Sequence, residues 1–454
     1  MDFTNPYVSI ILVTAIIILS FLFNAFSERT NIPSVLLLIG TGVLLKFGFD
    51  SMGVPVADMM PVLEIFGIVG LIMIVLEAAL DLELTAEKWP TIWKAFVSGL
   101  VVLLASTFAA AYLFYWLIDG MDFNHALLYA TPISILSSAI IIPSVSKLSQ
   151  DKKEFHIYES TFSDILGIMQ FYFLLDLMKP KDPTAEPHFL EFSNPYLNFI
   201  VLSIATIIFS LIASYLLIFL FQNLKSQVKL FMLIAVLILL YAVGKLGHLS
   251  SLIIILIFGL VLSNSHLFFR GFLKPYLKKD VLHGIEHNFH IVTIETAFVV
   301  RTFFFVIFGM TLVLSSLLDV NVLMVSTAVL ISIYLIRGIA LSLLIGRAIL
   351  PQLYIAPRGL VTVLLFFTIP ENLQVETFNS GILLFVIIAT SIIMAIALIA
   401  EGRKRSQRQA MEDDPLLIPP EKIYQGFQTK WLKEAKGGST KQEGKMVSDG
   451  TEGS

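Results

Sequence analysis

The chain has 454 residues, 57% of them hydrophobic and only 14% charged, with a mean hydropathy of +0.85 and a net charge of −4 that is uninformative; soluble proteins carry about 25% charged residues. The last 53 residues hold 18 of the 64 charged side chains, which leaves 46 for the first 401. This balance excludes a soluble enzyme, a nucleic-acid-binding protein and a disordered scaffold, and places most of the chain in lipid. With no cysteine, disulfides, iron–sulfur clusters and thiolate metal sites are excluded as well, and no cofactor is expected.

Apolar runs of about 17 to 25 residues, cut at charges and at Pro/Gly clusters, predict thirteen membrane helices. Spans 1 to 4 cover 7–24, 32–48, 61–80 and 95–118. The first has Asp2 before it instead of a basic leader and is read as a retained span. Spans 5 to 9 cover 124–147, 156–178, 196–222, 228–246 and 250–265; spans 10 to 13 cover 289–318, 321–347, 354–370 and 379–400. The division between spans 8 and 9 is the weakest, since Gly247, His248 and Leu249 must make the whole turn.

Lys and Arg concentrate in alternate loops. Arg29, Lys88, Lys94, Lys147, Lys152, Lys153, Lys225, Lys229, Arg270, Lys274, Lys278, Lys279 and Arg347 fall on one side with the basic tail, against Lys46, Lys179, Lys181 and Lys245 on the other. By the positive-inside rule the N-terminus lies outside and the C-terminus in the cytoplasm, as an odd number of spans requires. Thirteen divides as six, one linker span and six, and the fifth position of each half is interrupted. Span 5 has Pro132 and Pro143 bracketing Ser137 and Ser138; span 12 has Pro357 and Gly359 around Arg358. Paired breaks of this kind are expected of a transporter built from inverted repeats, with its site where the broken helices cross; two unrelated proline kinks are the plainer alternative.

Span 6 holds Glu159 and Asp164 in a segment otherwise suited to lipid. An acid at a helix centre costs about 2.5 to 3.5 kcal/mol even on the lenient insertion scale, so it marks a cavity or a partner. Helical spacing stacks Ser160 with Asp164 on one stripe and Glu159 with Ser163 on the next. A carboxylate and a hydroxyl on one face, opposite a broken helix carrying Ser137, form a candidate oxygen site for a dehydrated monovalent cation. An interhelical hydrogen-bond pair is the structural alternative. Desolvation disfavours a carboxylate's charged form, so Asp164 is suited to hold either a proton or a cation, each excluding the other.

Arg337, midway along span 11, needs an anion for the same reason, and Glu159 is the expected partner, in a structural role. Arg358 is either fixed charge near the ion path or a positive-inside anchor. Glu295 and Arg301, six residues apart in span 10, face different directions and are expected to pair with other helices, and Glu77 reads as a helix end.

The run Glu159-Ser160-Thr161-Phe162-Ser163-Asp164 resembles the Glu-Ser-x-x-Asn-Asp signature of the cation/proton antiporter superfamily, the sodium/proton exchangers. Phe303 to Gly309, Arg337-Gly338 and Arg358-Gly359 are similar to its aromatic run, its buried arginine and the arginine of its second broken helix. The resemblance covers most of residues 7 to 400. It implies an all-helical, thirteen-helix homodimer, with a membrane domain over 1–401 and a cytoplasmic tail over 402–454. In it spans 4 to 6 and 11 to 13 form a mobile core that carries Asp164 across the membrane, and the remaining spans form a scaffold. It makes Asp164 the shared carrier of cation and proton, Ser160 an auxiliary ligand, and Glu159 with Arg337 a structural pair. Two departures matter. Ser163 replaces the residue that is Asn in the electroneutral branch and Asp in the electrogenic one, which leans the reading towards one-for-one exchange. Ser137-Ser138 stands where the family often has Thr-Asp-Pro, so the site has one carboxylate fewer.

The expected activity is therefore exchange of Na⁺, or of Li⁺ or K⁺, for H⁺ in a plasma or inner membrane, serving pH homeostasis. The alternatives are a K⁺/H⁺ antiporter of the same fold, a passive cation channel or regulator, and a proton-coupled symporter. In the tail, Arg403, Lys404, Arg405 and Arg408 form a membrane-surface anchor, and Ile423, Tyr424, Phe427 and Trp431 are spaced for a short interfacial helix. The last residues are compositionally disordered.

Overall fold

The computed structural model describes residues 6–30, 32–52, 60–82, 84–178, 195–223, 229–247, 249–269, 279–312, 314–346 and 349–412. Lys179, Lys181, Lys225, Arg270, Lys274, Lys278, Arg347 and the tail beyond Glu412 lie outside these residues. Among the described residues the fold is entirely helical, with a compact unit over Met1–Leu398 and a second from Ile399 onward. In the latter, the described part is the end of the last helix, with Arg403 and Lys404 exposed.

Every one of the thirteen apolar segments contains a helix. The first four are α1 (Pro6–Thr30), α2 (Ser34–Ser51), α3 (Met60–Asp81) and α4 (Trp89–Leu117). Span 5 is two helices, α5 (Phe123–Ser134) and α6 (Ser138–Ser144), and span 6 is α7 (Gln150–Met178). Then come α8 (Pro195–Asn223), α9 (Lys229–Leu246), α10 (Ser251–Ser263) and the single turn α11 (Ser265–Phe268). The chain ends with α12 (Lys279–Thr311), α13 (Val320–Leu344), α14 (Leu360–Phe367) and α15 (Gly381–Glu412). Among the described residues, nine helical stretches are long and apolar enough to cross a bilayer, the α5–α6 pair counting as one.

Several boundaries depart from the apolar pattern, each for a local reason. Helix α4 begins at Trp89 with Pro90 in its first turn, where a missing N–H costs nothing. Trp89 and Trp93 at that end, and Tyr112, Tyr115 and Trp116 at the other, are exposed aromatic residues of the kind that settle at membrane–water interfaces. Helix α12 starts ten residues before the apolar run, because the polar stretch from Lys279 is helical too, and gives way at Leu314–Leu318 to a 3-10 turn. Span 12 changes most. Its helix covers only Leu360–Phe367, preceded by a 3-10 turn at Gln352–Tyr354 and a non-helical run over 355–359. Pro357 holds its predecessor out of the helical region, which leaves the arm before the break a single turn.

Two sets of helices pack among themselves. Helix α4 lies against α5, α7 and α13, α14 packs on α5 and α7, and α6 on α7, while α14 and α7 also reach α3. In the other set, α12 lies along α2 and α3, and α10 packs on α3, α8 and α9. The α2–α12 crossing is unusually close: a Cβ on Gly42 would lie 2.1 Å from the Val306 carbonyl oxygen, and one on Gly309 2.3 Å from that of Ile39. Small residues that let backbones approach are a main source of helix association in membranes, where no hydrophobic difference drives it.

Candidate ion-binding site

The two breaks meet through their backbones. Helix α5 ends at Ser134, residues 135–137 are extended, and α6 starts at Ser138. Across from it, the Ser137 N–H donates to the Pro357 carbonyl at 3.0 Å. Gly359 makes this approach possible, since a Cβ there would sit 2.4 Å from the Ser137 hydroxyl oxygen and 3.0 Å from its Cβ.

A helix interrupted inside a membrane leaves carbonyls at one cut end and N–H groups at the other without partners. Arg358 serves the carbonyls. Its Nε donates to Ile133 O at 2.7 Å and its terminal nitrogens to Ser134 O at 3.3 Å and Ala356 O at 2.6 Å, while its own N–H reaches Thr390 Oγ1 at 3.1 Å. A cation at a helix C-terminus complements the dipole as well as the orphan acceptors. Arg358 is fully buried, so its place is at the crossing and not at a lipid headgroup.

Helix α7 serves the N–H groups. Ser163 Oγ accepts from the Leu136 N–H at 3.0 Å, and Asp164 Oδ2 from the Ser138 N–H at 3.3 Å. Glu159, Ser160, Ser163, Asp164, Ser137 and Ser138 are all buried, Asp164 being 4% exposed. The remaining oxygens are the informative ones. Asp164 Oδ1 and the hydroxyls of Ser137 and Ser138 are buried with no hydrogen-bond partner in the protein, although the Ser138 hydroxyl lies near the Asp164 carboxylate. An unsatisfied buried polar atom costs about 1–3 kcal/mol, so these three oxygens are candidate ligands for a further group. Oxygen ligands suit a hard monovalent cation, and the carboxylate suits a proton. Ser160 Oγ donates back to the His156 carbonyl at 2.8 Å and the Ile157 carbonyl at 3.2 Å, which leaves its lone pairs free.

Five residues before Asp164, Glu159 accepts both terminal nitrogens of Arg337, at 3.1 Å on Oε1 and 2.8 Å on Oε2, and the Ser98 hydroxyl at 2.6 Å. Arg337 Nε donates to Gln352 O at 3.2 Å. Both side chains are fully buried, and the network ties α4, α7, α13 and the 3-10 turn together. Glu159 is thus occupied by Arg337 and Ser98. Fully buried His156 places Nδ1 3.3 Å from Glu159 Oε2, short of hydrogen-bond geometry, and neither ring nitrogen has another partner.

Three of these placements are not apparent in the sequence. Arg301 pairs with Glu77 of α3 and also bonds the Ala139 carbonyl in α6, so Glu77 is more than a helix end. Glu295 is exposed. Nothing in the sequence pattern singles out His156.

The sodium/hydrogen exchanger, transmembrane family matches residues 12–402. No curated protein matches the sequence. Among solved structures, the sodium proton antiporter MjNhaP1 from Methanocaldococcus jannaschii is similar at a TM-score of 0.63 and 20% identity, over 89% of this chain and 100% of that one. An electron-microscopy structure of the same antiporter gives 0.62 and 19%, over 89% of this chain and 97% of that one. At such identity the likeness speaks for the fold, while the family match extends over nearly the whole membrane domain: the chain belongs to the sodium/hydrogen exchanger family and is a multi-pass membrane transporter that exchanges a cation for protons.

Proposed function

We propose that this protein exchanges Na⁺ for H⁺ one for one, with Asp164 as the carrier that both ions share. The observation that carries the reading is the group of unpartnered oxygens at the crossing, Asp164 Oδ1 with the Ser137 and Ser138 hydroxyls. In the outward journey of one ion the carboxylate is neutralised by a cation; in the return it is neutralised by a proton. Each crossing therefore moves the same net charge, and the cycle as a whole moves none. Ser163 supports this stoichiometry because it cannot ionise and because its oxygen is engaged by Leu136 N–H. Ser160 is an auxiliary ligand. Glu159 and Arg337 hold the core together, and Arg358 caps α5 while contributing fixed positive charge beside the path.

The moving body is the set α4 to α7 with α13 to α15, and α1 to α3 with α8 to α12 form the scaffold, including the contact surface of a homodimer. The protein acts in a plasma or inner membrane with its N-terminus outside and its C-terminus in the cytoplasm, and its physiological role is pH homeostasis. Purified protein in liposomes tests the reading. A Na⁺ gradient is expected to drive H⁺ the other way without net current, with acid inhibiting Na⁺ flux by competition; parallel arms with Li⁺ and K⁺ establish selectivity. Na⁺ flux without proton counterflow would identify a channel and overturn the proposal.

A further inference from the structure

Arg301 lies outside the site yet reaches towards it. It belongs to α12, which packs along α2 and α3, but one terminal nitrogen donates to the Ala139 carbonyl of α6 at 3.0 Å. The other lies 3.6 Å from Glu77 Oε2 on α3, and both side chains are largely buried, at 14% and 13% exposure. Ala139 is the residue after Ser138, whose N–H binds the carrier carboxylate. A guanidinium anchored by an acid on one set of helices thus grips the backbone of the broken helix that carries the ion site in the other set.

Ala139 lies in the first turn of a seven-residue helix, and Pro143, four residues on, has no N–H to offer its carbonyl. Arg301 supplies the donor the helix lacks and so restrains the position of α6 without unwinding it. Glu77 sets where the guanidinium points, since Arg presents its donors as a rigid fork.

We propose that Arg301 is a latch: it docks α6 on the α3–α12 scaffold in this conformation, with Glu77 as its strut, and lets go when the ion-carrying core moves. It is a positioning residue that touches no ion. The inference rests on the moving-core reading above, and the test separates the two. The chain has no cysteine, so label pairs can be introduced cleanly. Spin labels at Ser146→Cys, exposed just after α6, and His287→Cys, exposed on α12, report the distance between the two sets in lipid nanodiscs.

In the otherwise unaltered chain, the distance distribution should change between acid without Na⁺ and alkaline buffer with Na⁺. An invariant distance in every variant and condition overturns the moving core and the latch together. Given movement, Arg301→Met should shift the ratio of the two populations roughly tenfold towards the undocked one, the lower range for a hydrogen bond from a charged group. Arg301→Lys, which keeps a donor and a charge, should restore most of the original ratio, and Glu77→Gln should give an intermediate shift. A ratio unchanged in Arg301→Met overturns the latch alone. So does a single broadened distribution with a uniform rise in hydrogen exchange across all helices, because that marks a general structural staple.

Discussion

Glu159→Ala removes an acceptor that serves three donors at once: two nitrogens of Arg337 and the Ser98 hydroxyl, at 2.6 to 3.1 Å and fully buried. Arg337 keeps only its Nε bond to the Gln352 carbonyl. Breaking a buried pair by deleting one partner costs about 3–5 kcal/mol, mostly because the survivor remains charged and uncompensated. Arg337→Ala should cost a similar amount, since Glu159 then retains Ser98 and the nearby His156 alone. The double variant leaves neither charge behind. Its loss should equal that of the worse single variant, about 3–5 kcal/mol, and not the sum of roughly 6–10 kcal/mol that independent sites would give. Unfolding of the wild type, both single variants and the double variant by denaturing detergent, followed by helical signal in mixed micelles, measures all four corners of the cycle. Additive losses would refute the reasoning, because they would mean the two side chains do not act on one another.

Arg358→Met should leave the carbonyls of Ile133, Ser134 and Ala356 without their charged donor; at about 1.5–3 kcal/mol for a charge-assisted bond, the variant should unfold markedly earlier, with Arg358→Lys partly restoring stability in the same assay. At the other end of α5, Asp122 accepts the Asn124 N–H at 3.0 Å as an N-cap and also bonds His125. Asp122→Ala should cost about 1 kcal/mol, the usual worth of such a cap. Desolvation would raise the Asp122 pKa, but the His125 side chain and the Asn124 N–H outweigh it and hold the carboxyl below its ordinary value of 3.8. The stabilising contribution is therefore complete above that value and lost as pH falls through the lower folded one, so wild type and Asp122→Ala should converge in stability only in strong acid.

Helix positions were legible because lipid leaves a strong signature, and the breaks were legible because proline and glycine have fixed costs. The few charges inside the apolar spans were conspicuous for the same reason: each must have a partner or a task. What the sequence does not display is which partner. Glu159 and Arg337 are 178 residues apart, and Arg301 lies 162 residues from Ala139. Arg301 lies inside an apolar span and so needs a partner, but nothing local shows that one of its partners is a backbone carbonyl. Arg358 was ambiguous because proximity to a span's end fits an interfacial anchor, whereas the fold turns it inward onto the carbonyls of α5. The short arm before α14 was obscured by its apolar composition. Hydropathy cannot tell a helix from an extended run buried among other helices, and only Pro357 hinted at the difference.

The most direct test of the account is Asp164→Asn in sealed liposomes. The amide keeps the size of the side chain and an acceptor for the Ser138 N–H, but it neither carries a proton nor neutralises a cation. Na⁺-driven H⁺ movement should fall to the level of protein-free vesicles while the variant inserts, purifies and unfolds like the wild type. Retained Na⁺/H⁺ exchange by a well-folded Asp164→Asn protein would contradict the claim that this carboxylate is the shared carrier.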